Sequence, residues 1–155
     1  MISNSTTGQQ VTTERDAHYI RILVENNGRQ IANQCRAYLV NVEKWNDKKN
    51  KFEQSIYCDS LQLAWSAQGN NADAFRPIDL PPNIKQFIDV FSTAEKQADY
   101  DIKLKTRLNR YVNLFQEHGK LRYTVQVSGD NVKPKTTKII FIWNGKWDDF
   151  SVNSG

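Results

Sequence analysis

Between His18 and Trp45 the chain reads HYIRILVENNGRQIANQCRAYLVNVEKW, two extended apolar segments divided by Glu25-Asn26-Asn27-Gly28. Tyr19 to Val24 is rich in β-branched residues and too short for a buried helix, so it predicts a core strand. Asn and Gly tolerate backbone conformations that other residues avoid, and the chain can reverse at Asn27-Gly28. Beyond the break Cys35, Ala37 and Leu39 fall on one face and Arg36, Tyr38 and Val40 on the other, before Val42 and Trp45 close the segment. The spacing predicts a second strand, bulged near Asn41. A chain built on such a pair must supply further strands to cover them.

The remaining sequence supplies them. Asn46-Asp47-Lys48-Lys49-Asn50-Lys51 reads as a polar hairpin tip ahead of a strand over Phe52 to Cys58. Leu61, Leu63 and Trp65 alternate with polar or small residues, and Trp65 reads as a core anchor. Gln68 to Asp73 is loop, and the prolines of Leu80-Pro81-Pro82-Asn83 argue against a strand before Ile84. Phe87 to Phe91 is extended, and Ser92 to Ala98 predicts a helical turn capped by Ser92 or Thr93. Ile102, Leu104, Thr106 and Leu108 alternate with Lys103, Lys105 and Arg107, which predicts a strand with a basic stripe on an exposed face. Tyr111 to Phe115 fits either a continued strand or a short helix. Leu121, Tyr123, Val125 and Val127 alternate strictly, Asp130-Asn131 and Pro134 form a loop, and Lys138 to Trp143 is strongly β-prone. Asn144-Gly145 predicts a two-residue hairpin turn with positive φ, followed by a last strand to Val152.

Against this background a resemblance has meaning. Val24-x-Asn26-x-Gly28-x-x-x-Ala32-x-x-Cys35-x-x-x-Leu39 resembles the strand-turn-strand of bacterial immunoglobulin-like sandwich modules such as the cell-adhesion-related domains. Leu63-x-Trp65-Ser66, Tyr123-x-Val125-x-Val127 and Ile142-Trp143-x-Gly145-x-Trp147 are similar to uncharacterised bacterial domains of that build, which often follow membrane helices. The likeness spans roughly Tyr19 to Val152 and rests on packing motifs, so it implies architecture and transfers no functional residue. Strand spacing and resemblance together predict an all-β fold, an immunoglobulin-like antiparallel β-sandwich of about seven to nine strands. The single domain would cover 17–153, after a disordered tail or linker over 1–16 rich in Ser, Thr, Asn and Gln.

Length and charge narrow the function classes. A chain of 155 residues suits one core. Its formal charge of +4 is mildly basic and compatible with an acidic partner. No apolar run approaches the roughly 20 residues of a membrane-spanning helix. The N-terminus lacks the charged-then-apolar order of a signal peptide. Cys35 and Cys58 read as free thiols, which favours the cytoplasm over a secreted location.

Chemistry is sparse. His18, His118, Cys35 and Cys58 have no zinc-ligand spacing, and there is no nucleophile elbow or Gly-rich phosphate loop, so neither metal, cofactor nor catalytic residue is expected. The expected function is a non-enzymatic interaction or accessory module for a protein partner, possessing loops or an edge strand to present. The alternative is a carbohydrate-binding module using exposed aromatic rings. Contact with nucleic acid or an anionic surface would use Lys103, Lys105 and Arg107 with the Lys48, Lys49 and Lys51 tip.

Overall fold

The computed structural model describes residues 2–5, 12–13, 17–69, 71–95 and 99–155. Among them lie twelve strands of one antiparallel sheet. They are β1 (Ile2–Ser5), β2 (Thr12–Thr13), β3 (Ala17–Asn26), β4 (Ala32–Asn46), β5 (Lys51–Gln54) and β6 (Leu61–Trp65). β7 (Ile78–Leu80), β8 (Lys85–Ala94), β9 (Asp101–Ile102), β10 (Gly119–Gly129), β11 (Val132–Lys146) and β12 (Asp149–Ser154) follow. The main path runs β1-β3-β8-β6-β4-β10-β11-β12, with β2 on β3, β5 and β7 on β4, and β9 on β8. The all-β, antiparallel expectation therefore stands. The tail expected over 1–16 falls largely outside the described residues; within it Ile2–Ser5 and Thr12–Thr13 pair with β3.

The path is continuous because β6 is shared. Its first residues pair with β4 (Ala37 with Leu63, Leu39 with Leu61), and its last two pair with β8 (Ala64 with Asp89, Trp65 with Ile88). The sheet curls so that the β3–β8 half faces the β10–β11 half. Phe91 of β8 lies 4.2 Å from Phe141 of β11 and 5.5 Å from Tyr123 of β10, centroid to centroid. Cys35, Ala37 and Leu39 are buried as the alternation predicts, and so are Leu121, Tyr123, Val125 and Val127. A register shift opposite Thr124 and Val125 skips Val40, which lets both Leu39 and Val42 point inward; this is the bulge expected near Asn41. Trp65 has no exposed surface and its indole N–H donates to the Cys35 carbonyl at 3.2 Å, as a core anchor requires.

Several local expectations fail for identifiable reasons. Ile78–Leu80 is a strand despite its flanking prolines, because Ile78 and Leu80 bury themselves on β4 opposite Cys35 and Ala32. Ser92 and Thr93 do not cap a helix. They are buried in β8, and the Thr93 hydroxyl donates to the Trp147 carbonyl at 2.6 Å. Pro134 lies within β11, beside the register shift opposite Val127 and Gly129, where a missing N–H is tolerated. Tyr111 to Phe115 is helical, a 3-10 turn leading into α1 (Val112–Gln116). The hairpin turn between β11 and β12 is Trp147-Asp148, three residues past Asn144-Gly145, which forms a bulge inside β11.

Buried phenols and a buried thiol make stability depend on pH from the alkaline side. Burial, reinforced by Asp79 and Asp130, raises the Cys35 thiol from 9.0 to about 11, and burial raises Tyr57 from 10.0 to about 12. Burial also raises Tyr100 and Tyr123, whose hydroxyls share a 2.7 Å hydrogen bond. Groups with raised folded-state values contribute stability that is intact below their unfolded values and lost as pH climbs toward the folded ones. Stability should thus be level below pH about 9 and decline between about 9 and 12. Absorbance at the phenolate band should show Tyr57, Tyr100 and Tyr123 ionising only with unfolding. Ionisation of all six tyrosines near pH 10 in a folded chain would refute this.

Candidate functional site

At one end of the sheet two connections are tied to one buried residue. Asn26, the last residue of β3, has no exposed surface. Its Nδ2 donates to the Gln30 carbonyl at 2.7 Å and to the Leu80 carbonyl at 2.8 Å, while its Oδ1 accepts the Gly28 N–H at 2.9 Å. Its own carbonyl accepts the Asn83 N–H at 2.7 Å. Every donor and acceptor of this side chain is used, as a buried amide requires. Asn26 thereby locks the β3–β4 connection to the end of β7 and to the Pro81–Ile84 turn.

The β10–β11 turn joins the same frame. The Asn33 N–H donates to Asn131 Oδ1 at 2.8 Å, Asn131 Nδ2 donates to the Ile31 carbonyl at 2.8 Å, and the Asp130 N–H donates to the Asn33 carbonyl at 2.9 Å. Gly129 is glycine for a steric reason: a Cβ there would sit 2.6 Å from the Asn33 oxygen. Two residues are left-handed, Asn83 (φ 64°) in its turn and Gln34 (φ 52°) at the irregularity of β4 opposite β7, and the Gln34 N–H is held by Asp79 Oδ1 at 3.0 Å. From this frame Ile31 projects 48% exposed and Ile84 44% exposed. A shallow hollow of about 280 Å³ beside Ile31 is rimmed by Arg29, Gln30 and Asn131.

The basic residues singled out from sequence lie elsewhere, in two separate places. β9 ends at Ile102, so Lys103, Lys105 and Arg107 do not form a stripe on a sheet face. Leu104 makes only an isolated bridge to Leu63. Lys103 Nζ and Arg107 Nη2 both reach Asp101, at 2.7 and 2.5 Å, while Lys105 is exposed. The pair lines a depression of about 420 Å³ with Tyr19, Phe75 and Asp89. Lys48 and Lys49 are exposed at the β4–β5 tip, where Asn46 Oδ1 accepts both backbone N–H groups and Lys49 pairs with Glu53 at 2.8 Å. That exposed tip is an Asx-type turn with a solvated ion pair.

Next to the tip, side chains cluster on the outward face of β4, β5 and β10. Lys120 Nζ stands 4.2 Å from the Trp45 ring centroid, the Arg122 guanidinium 4.3 Å from that of Phe52, and Arg122 pairs with Glu43. Of the four tryptophans, Trp65 and Trp143 are buried, Trp45 carries Lys120, and Trp147 stacks on His18 at 5.2 Å. A further polar knot joins the β5–β6 connection to the helical segment: the Asp59 carboxylate accepts from Tyr111 and Arg110, which hold it below the usual carboxylate range.

Set against known protein families, curated proteins and solved structures, the chain matches none of them. The site must therefore be read from its own geometry. Among the described residues no group of three or more His, Cys, Asp or Glu side chains is placed to hold a metal ion. Cys35 and Cys58 are both free, the first buried and the second exposed. Asn26 marks the end of the first strand in the sequence, but its partners Leu80 and Asn83 lie too far along the chain to be foreseen.

Proposed function

We propose that the chain is a non-enzymatic accessory module that binds a protein partner through the loop end built on Asn26, in the manner of the immunoglobulin-like sandwich modules its strand-turn-strand motif resembles. The observation that supports this reading is the exposure of Ile31 and Ile84 on backbone fixed by a buried amide. Loops already held in one conformation lose little entropy on binding, so their contacts are retained as affinity. An apolar anchor, Ile31, beside a polar rim of Arg29, Gln30 and Asn131 has the anatomy of a protein–protein contact. The resemblance extends the reading to the soluble part of a membrane-associated bacterial protein. Among the described residues no helix is long and apolar enough to cross a membrane. The carbohydrate-binding alternative needs an open ring face, and each tryptophan is buried or already has a neighbour on its ring.

A photo-crosslinking residue at position 31 should trap a partner in the cells of origin, and one at exposed Lys146, at the opposite end of β11, should not. Ile31→Asp with Ile84→Asp should abolish that capture while leaving the thermal midpoint within about 2–3 °C, because both side chains are solvent-facing. Equal trapping at both positions, or capture that survives the double substitution, would overturn the assignment of the loop end.

A further inference from the structure

Two Asn-Gly pairs stand in the chain, Asn27-Gly28 and Asn144-Gly145, and in both the asparagine is exposed and the glycine half-buried. An asparagine followed by glycine can lose ammonia, because with no Cβ on the next residue the backbone nitrogen between them can reach the side-chain carbonyl carbon. Access to solvent does not separate the two pairs. Hydrogen bonding does. The Gly28 N–H donates to Asn26 Oδ1 at 2.9 Å, and that oxygen belongs to the buried amide fixed to the Gln30 and Leu80 carbonyls. The nitrogen that would have to attack is therefore held against the frame of the loop end. At Asn144-Gly145 the bond falls on the other partner: the Lys146 N–H donates to Asn144 Oδ1 at 3.0 Å. Among the described residues the register of β11 with β10 ends at Trp143, and with β12 it passes from Trp143 to Lys146, so neither Asn144 nor Gly145 has a cross-strand partner.

We infer that Asn144 is a site of spontaneous deamidation and that Asn26 protects Asn27 from the same reaction. The Gly145 nitrogen adds to Asn144 Cγ as it gives up its proton, the new N–Cγ bond replaces the Cγ–Nδ2 bond, and Nδ2 leaves as ammonia. Water then opens the five-membered imide at either carbonyl, giving aspartate or isoaspartate at position 144. Addition puts negative charge on Asn144 Oδ1, and the Lys146 N–H already donates to that atom, as a group stabilising a developing oxyanion must. The bulge supplies the second requirement: Gly145, at φ 91°, lies outside the ladders, so its nitrogen can turn toward Cγ without breaking a cross-strand pair. The isoaspartate product lengthens the backbone by one carbon just before the Trp147-Asp148 turn, which would weaken the pairing of Phe150 to Val152 with β11.

The full chain would be incubated in mildly alkaline buffer, once folded and once in guanidinium chloride. Its proteolytic peptides would be followed for the one-dalton gain of deamidation, and for isoaspartate by enzymatic methylation. In guanidinium chloride the two pairs should convert at rates within about threefold of each other, since neither keeps its contacts. In the folded chain Asn144 should convert at least about tenfold faster than Asn27, because Asn27 reacts only when the Asn26 contacts open. Amide exchange of the aged, folded protein should then show protection falling at Phe150 to Val152. Asn144→Asp, which carries the new charge without the extra backbone carbon, should keep that protection. Equal conversion of the two pairs in the folded chain, faster conversion of Asn27, or conversion of Asn144 in guanidinium chloride but not in the folded chain would each overturn the inference.

Discussion

Replacing Asn26 with leucine is expected to destabilise the protein by about 2–4 kcal/mol, although leucine has the same side-chain branching and number of heavy atoms. The loss comes from the groups left behind. The Leu80 and Gln30 carbonyls lose their donor, the Gly28 N–H loses its acceptor, and the Leu80 contact is wholly buried. An unsatisfied buried backbone group costs about 1–3 kcal/mol, and the two partly buried ones recover some of theirs from water. Asn26→Asp separates this from packing. Its carboxylate would face two carbonyl oxygens and would need a proton to replace either lost donor bond, so burial raises its folded-state value. That variant should be least impaired below pH about 4 and lose further stability as pH rises. Urea midpoints at pH 3.5 and 7 would measure both. A leucine variant within about 0.5 kcal/mol of the parent would show that the loops are held by other means, and the proposed docking end would lose its scaffold.

Gly145 carries the second large effect. Its φ is 91°, as the Asn-Gly pair predicts, yet it occupies a bulge against His118 rather than the centre of a turn. A Cβ at this position would meet His118 Cε1 at 2.6 Å and Nε2 at 2.8 Å. From turn chemistry alone asparagine would be nearly harmless here, whereas the structure sets any added Cβ against the exposed His118 ring, which would have to move aside. Gly145→Val should cost about 2–4 kcal/mol, from a β-branched residue forced to positive φ and the collision together. Gly145→Asn should cost about 1–2 kcal/mol, mostly from the collision. His118 is exposed, so removing its ring in His118→Ala should restore much of the asparagine loss and only part of the valine loss. The double-mutant coupling should exceed about 0.5 kcal/mol for both pairs. Additive effects would place His118 away from the bulge.

What the sequence disclosed and what it hid follow one physical divide. Period-two alternation reports which face is buried, so Cys35, Ala37 and Leu39 were readable, as were Leu121 to Val127. Alternation does not report whether a partner strand exists. Ile102 and Leu104 are buried and Lys105 is exposed, as the pattern demands, but Thr106 is exposed and the ladder stops at Ile102. Ile78–Leu80 shows the reverse, a ladder too short to leave a period behind. Local capping chemistry favours a helix start at Ser92 and Thr93, and tertiary burial in β8 overrides it. At the candidate sites the same limit holds. Lys103 and Arg107 were visible as cations, whereas Tyr19, Ala64 and Phe75, which turn them into a hollow, come from distant segments.

The sharing of β6 between the halves bears on how the molecule opens. A five-residue strand divides its hydrogen bonds between β4 and β8, and its terminal indole reaches across to the Cys35 carbonyl. Releasing the β3–β8 half strips Trp65 of cover, and releasing the β4–β10 half strips the same residue of its acceptor. Neither half can detach and keep its own interior intact. Amide exchange should therefore find no intermediate rung between fraying at the rim and complete unfolding. The slowest amides of Leu63, Leu39 and Ile88 should exchange at one common rate, as members of a single cooperative unit.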